Sequence, residues 1–155
     1  MANINKNIDI FLFAEDPGAA NWIINLPDKL NHKSLTCYIA ASGSAVNYFQ
    51  DRGQKINAVI SNDNLDNIVQ DINPKLIIVG TAENINTPSH QIINVARNLG
   101  IKSVGIVDSC IFALERFKGE SSDPFNHVPD WLIVPDIRTS NCFMEAGFPE
   151  RKLHI

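Results

Sequence analysis

The chain has 155 residues, 45% of them hydrophobic and 19% charged, with 13 basic against 17 acidic side chains and a formal net charge of −4. That is one ordinary globular domain, large enough to build a core without disulfides or metal. The basic residues are scattered, which excludes a phosphate-backbone footprint for a nucleic acid, and the apolar runs are too short for a bilayer-spanning helix.

Along the chain, short β-branched runs alternate with segments of helical spacing. Residues 8–14 read as a buried strand. Asp16 is a good N-cap and Pro17 a good first helical residue for a helix over 19–32. Trp22, Ile23, Leu26 and Leu30 share its core face, and Pro27 should kink it by removing a donor and crowding the preceding turn. A second strand covers 35–41. Ser42-Gly43-Ser44 then caps a helix running to Gln50 and ending at Gly53. After a short third strand, 58–61, Asp63 starts a helix bearing Leu65, Ile68, Val69 and Ile72, which Asn73-Pro74 stops.

The fourth strand, 75–80, is apolar on both faces, as a central parallel strand covered on both sides must be. Thr87-Pro88 opens a helix that ends at Gly100, and strand five follows over 102–107. A stretch without periodicity occupies 109–129. Strand six at 131–134, a helix from Asp136 to Gly147 and the beginning of a strand at 152–155 complete the chain. This alternation implies an α/β, Rossmann-like doubly wound parallel sheet of six or seven strands in the order 3-2-1-4-5-6, with a flavodoxin-like order as the alternative. Ligands bind such sheets beyond the carboxyl ends of the strands, at the switch point, here between strands one and four. Loops 15–19 and 81–87 line that crevice.

Three carboxylates are candidate catalytic groups. Asp16 sits beside Gly18, which permits close backbone approach. The helix N-terminus at Ala19 offers free N–H groups to a phosphate or sugar hydroxyl, unless Asp16 itself fills that role as a cap. The loop is neither GxGxxG nor a P-loop. Glu83, followed by Asn84, can bind a hydroxyl or act as a general base, or it is a solvated loop residue. Asp108 ends strand five. Arg116, in the long segment after it, can hold a phosphate or carboxylate through its fork. Segments that long are functional or disordered, so 110–127 should be the most mobile part of the chain or should fold over the crevice with Arg116 pointing in. Gly18, Ala19, Asn84 and Arg116 are thus the candidate substrate-binding residues.

Other features read as structural. Trp22 and Trp131 lie in periodic segments and are assigned to the core. His32, His90, His127 and His154 lack metal-ligand spacing, and no metal or cofactor is expected. Cys37, Cys110 and Cys142 are widely separated, which suits reduced thiols in a cytoplasmic protein, and no oxyanion elbow accompanies Cys110. The opening MANINKNIDI has no apolar core of a secretory signal, so no leader is expected. The abundance of Asn and Ile fits either an amide-rich sugar-binding surface or a simple codon bias.

Several of these segments together resemble a known group. They are Asp16-Pro17-Gly18, Ala41-Ser42-Gly43, Gly80-Thr81-Ala82-Glu83-Asn84, Ser103-Val104-Gly105-Ile106-Val107-Asp108, Arg116-Phe117-Lys118-Gly119 and Pro129-Asp130-Trp131-Leu132-Ile133-Val134-Pro135-Asp136. The chain is similar to the N-terminal half of GT-B-type glycosyltransferases and of their relatives, the UDP-N-acetylglucosamine 2-epimerases and CDP-glycerol glycerophosphotransferases of bacterial surface-polysaccharide biosynthesis. The resemblance implies an acceptor-side domain over 1–155, with Asp16, Gly18, Glu83 and Asp108 on its working surface. It also implies a nucleotide-sugar or sugar acceptor as partner. The donor half that binds the nucleotide sugar is absent, to be supplied by a C-terminal domain or a second subunit, so the chain alone should not turn over. A stand-alone nucleotide- or sugar-binding module, or a non-catalytic oligomeric or regulatory protein, stays open, as does a homo-oligomer.

Overall fold

Strand β1 (Ile10–Ala14) is buried along its whole length. Its apolar side chains on both faces require cover above and below, which a parallel sheet with helices on each side supplies. β2 (Cys37–Ala41) and β4 (Leu76–Gly80) flank it in parallel, with Leu12 level with both Ile39 and Ile78. Outside these lie β3 (Ala58–Val59) on one side and β5 (Lys102–Ile106), β6 (Trp131–Ile133) and β7 (Leu153–His154) on the other. All pairs are parallel, and the order is β3-β2-β1-β4-β5-β6-β7. The order read from the sequence is therefore the one adopted, extended by β7. The computed structural model describes residues 7–61 and 64–155, so the cap expected at Asp63 and residues 1–6 lie outside the described residues.

Each face of the sheet has its own core. On one, Phe11, Phe13, Ile77 and Val79 pack against Leu65 and Val69 of α4 (Leu65–Ile72) and Ile92 and Ile93 of α5 (Pro88–Leu99). On the other, Leu12 and Ile39 meet Ala19, Ala20 and Ile23 of α1 (Pro17–Ile23) and Phe49 of α3 (Ala45–Asp51). α1 lies very close to the sheet. Gly80, at the end of β4, has no room for a side chain, because the Ala19 methyl occupies the place its Cβ would take. A third cluster forms beside β6, where Leu132 and Val134 pack with Phe117 and with Phe143 of α6 (Ile137–Glu145).

Three expectations need correction. The helix expected over 19–32 is two helices, α1 and α2 (Leu26–Asn31), with Pro27 in the first turn of the second. Proline cannot continue the ladder and crowds the carbonyl one turn back, so the chain breaks rather than kinks. The break changes the helical phase, and Trp22, expected in the core, is 45% exposed. Trp131 is half-buried, with Lys102 Nζ 5.8 Å from its ring centroid. Finally, the serines before α3 make no side-chain cap. Ser44 occupies the N-cap without such a bond, and the Ser42 hydroxyl is buried without a partner. Gly43 is the residue the turn needs. Its φ is +52°, and a Cβ there would lie 2.9 Å from the Glu15 carbonyl oxygen.

The segment after β5 packs inward. A short 3-10 turn, Glu115–Phe117, buries both Arg116 and Phe117. Phe117 lies 6.0 Å from Phe143 and Phe125 lies 5.5 Å from Phe148, ring centre to ring centre. Within the expected segment 110–127, Arg116 points to the crevice as expected, while Ile111 and Phe112 are exposed.

Candidate functional site

The loops after β1, β4 and β5 converge at the carboxyl edge of the sheet, because β4 is the neighbour of both β1 and β5. Asp16 N-caps α1 from extended backbone, its Oδ1 accepting the Ala19 N–H at 2.9 Å. Thr81, just past β4, donates its hydroxyl to the Ile106 carbonyl at 2.9 Å and so joins the ends of β4 and β5. Its own carbonyl then faces Arg116, whose Nη1 donates to it at 2.6 Å. The same Nη1 lies 2.9 Å from Asp108 Oδ1, and Nη2 lies 3.8 Å from Glu83 Oε2.

These groups border a cleft of about 320 Å³, lined by Asp16, Ala82, Glu83, Asn84, Asp108, Ser109, Ile111 and Arg116. Arg116 is 4% exposed, so its charge is buried and must be compensated. Asp108 supplies the compensation as a charge contact rather than an aligned hydrogen bond, since its Oδ1 has no such donor, and Arg116 Nε likewise has no partner. Burial pushes the Asp16 carboxyl above its ordinary 3.8. The Ala19 N–H opposes the rise, and the Asp108 charge adds to it. Glu83 is different: its side chain is 54% exposed, open to solvent at the cleft mouth.

The candidate residues thus divide. Asp16, Glu83, Asn84, Asp108 and Arg116 come together around one space. Gly18 lies beneath it, where a Cβ would overlap Asp108 Oδ2 and sit 3.2 Å from Asp16 Oδ1. Ala19 does not reach the cleft, because its methyl packs at Gly80 and its N–H is taken by Asp16. Two tethers escaped the sequence reading. Thr81 organises the strand ends, and Glu15 accepts a hydrogen bond from the Thr87 hydroxyl across a separation of 72 residues. Thr87 is legible as a helix cap, but nothing local announces its second partner. Among the described residues, no group of three or more His, Cys, Asp and Glu is placed to hold a metal ion. None of the described helices is long and apolar enough to cross a membrane.

No protein-family model matches the chain, and no curated protein sequence matches it. Solved structures share its fold. The UDP-GlcNAc 2-epimerase from Neisseria meningitidis bound to UDP-GlcNAc superposes with a TM-score of 0.71 at 11% identity, over 96% of this chain and 45% of that one. The S. aureus MnaA–UDP structure gives a TM-score of 0.72 at 10% identity, over 94% of this chain and 44% of that one. A putative UDP-N-acetylglucosamine 2-epimerase from Listeria monocytogenes gives 0.72 at 8% identity, over 96% and 44%. Identities this low establish a common fold. The chain spans a little under half the length of each of these proteins.

Proposed function

We propose that the chain is the acceptor-side, Rossmann-like half of a nucleotide-sugar enzyme, a UDP-GlcNAc 2-epimerase-like protein or a GT-B-type glycosyltransferase of bacterial surface-polysaccharide biosynthesis in the cytoplasm. A second domain or subunit supplies the donor-binding half, and the enzyme works when the two face each other across the cleft. The observation that carries this reading is the set of three carboxylates gathered around one buried arginine at the switch point of the sheet. The shared fold with the epimerases, one of them holding UDP-GlcNAc and another UDP, supports it.

The division of labour follows from the electrostatics. Arg116 lets Asp16, Asp108 and Glu83 share a small space without prohibitive repulsion. Asp108 is committed to Arg116. Asp16 accepts the Ala19 N–H through Oδ1, which leaves its second oxygen to meet a sugar hydroxyl. Glu83, exposed at the mouth, is suited to accept a proton from the reacting sugar.

The test is a titration of the isotope-labelled chain with UDP-GlcNAc, UDP and N-acetylglucosamine, followed by NMR. Binding of half a site is expected to be weak, about millimolar. Shifts should concentrate at Asp16, Ala82, Glu83, Asn84, Ser109 and Ile111. Saturable shifts elsewhere, or none with any of the three ligands, would overturn the reading.

A further inference from the structure

We propose that His90 is the positioning residue for Arg116, fixing its guanidinium at the cleft through the main chain; this rests on the cleft being the working site. Arg116 belongs to a three-residue 3-10 turn, an element too short to hold a buried charge in place by itself. Its guanidinium contacts orient the far end of the side chain. The near end is anchored at its carbonyl oxygen, which lies 2.7 Å from His90 Nε2.

His90 is well suited to the task. It lies in the first turn of α5, whose Ile92, Ile93 and Ala96 are buried in the core and whose N-terminus is capped by Thr87. The imidazole is 5% exposed, so its ring nitrogens need partners within the protein. Both face carbonyls of chain segments that border the cleft region: Arg116 at Nε2, and Ile85 at Nδ1 at 3.3 Å. A carbonyl only accepts, so the shorter contact assigns a proton to Nε2, which donates to Arg116; in the neutral ring the unprotonated Nδ1 makes no hydrogen bond to the Ile85 carbonyl. A buried apolar side chain would fill this space without a polar group to satisfy. What a histidine adds is the grip on the Arg116 backbone.

The grip is reinforced from the other side. His127 stacks on His90 with ring centres 4.4 Å apart and planes 12° from parallel. Its Nδ1 meets Asn94 Oδ1 of α5 at 3.2 Å, its Nε2 meets the Asn126 amide nitrogen at 2.9 Å, and its main-chain N–H donates to the Phe117 carbonyl at 2.8 Å. Gly119, at φ +59°, passes so close that a Cβ would lie 2.9 Å from His127 Nε2. Helix α5 therefore holds the segment 116–127 near both ends, through residues one turn apart.

Two measurements test the assignment. Nitrogen-15 spectra of the imidazole rings in the unaltered chain should show a proton on His90 Nε2. A neutral ring protonated at Nδ1 alone overturns the proposal. In His90→Leu, solvent exchange of the Arg116 Nε–H should accelerate about tenfold or more, while the amides of Ile77 and Val79 stay protected. His90→Gln, whose amide can donate to the same carbonyl, should keep that exchange within about threefold of the parent. Unchanged Arg116 exchange in a folded His90→Leu chain refutes the assignment, as does loss of protection in a folded His90→Gln chain. None of these readouts needs a ligand. Their failure leaves the cleft's role standing, whereas a cleft that binds no sugar or nucleotide overturns the function and leaves the His90–Arg116 link intact.

Discussion

Gly18 leaves open the space that the Asp108 carboxylate occupies: a Cβ on Gly18 would overlap Asp108 Oδ2. Gly18 in the first turn of α1 and Asp108 just past β5 are thereby in contact, and the contact has a measurable consequence. Gly18→Ala improves helix propensity by about 1 kcal/mol at most, yet it overpacks the carboxylate at a cost of about 1–3 kcal/mol. Urea unfolding should therefore show net destabilisation, and the Asp108 resonances should move. A variant as stable as the parent, with Asp108 unmoved, would contradict this contact.

Arg116→Met removes the guanidinium buried among the cleft carboxylates. Its side chain is 5% exposed and that of Asp108 21% exposed, so the orphaned carboxylate is poorly solvated. The expected loss is about 3 kcal/mol or more, the usual result of breaking a buried pair from one side. Adding Asp108→Asn should recover part of that loss, because the uncompensated charge is gone. Strict additivity of the two changes in denaturant midpoints would show that the pair is not coupled.

Glu83→Gln keeps the shape of the cleft mouth and removes a proton acceptor. In the two-domain enzyme that the proposed function calls for, turnover should fall by about 100-fold or more, with substrate affinity much less affected. A turnover number within about twofold of the parent would rule Glu83 out as the base, leaving Asp16 and Asp108.

Asp16→Asn should do the opposite to stability. Asparagine still accepts the Ala19 N–H as a cap. The Asp16 carboxyl is raised, chiefly by burial, so the folded chain binds its proton more tightly than the unfolded chain does. Stability is then lost as pH rises through the interval from 3.8 to the raised folded value, and it is restored on acidification. The neutral variant should melt higher than the parent near pH 7, and the gap should close as pH falls below 4. A lower melting point near pH 7 would mean that the charge is welcome there.

Asp9 predicts the acid limb. Lys75 first, then the backbone N–H and hydroxyl of Thr36, hold its carboxyl at about 2, below the ordinary 3.8. Its folded value is depressed, so its contribution is fully present above 3.8 and disappears as pH falls from there toward 2. Asp9→Asn should lower stability at neutral pH and flatten the stability profile over that window. A profile parallel to the parent's would exclude Asp9 as a source of acid sensitivity.

The sheet was readable because its signals are local. Ile10–Ala14 and Leu76–Gly80 are apolar on both faces, Thr87-Pro88 and Asp136 announce helices, and Gly100 ends one. The segment after β5 was opaque for the converse reason. Phe117, buried, and Phe125, half-buried, pack against Phe143 and Phe148, partners more than 20 residues away, and no periodicity encodes such pairs. Within the cleft, the sequence supplied the carboxylates and Arg116 but not their connections. The Thr81 bridge and the His90 anchor depend on where strands and helices end in space. Trp22 misled because the chain breaks before Pro27, so a face drawn across the break does not exist.

The Gly80–Ala19 contact ties two distant positions into one unit of inheritance. Enlarging Gly80 alone lifts α1 off the end of β4 and widens the gap between Asp16 and Glu83. Shrinking Ala19 alone leaves a void at the same place. Exchanging the pair, with alanine at 80 and glycine at 19, would keep the combined volume at a cost of about 1 kcal/mol for glycine within the helix. Relatives that keep a cleft of this width should therefore conserve the combined volume of the two residues, even where neither identity survives.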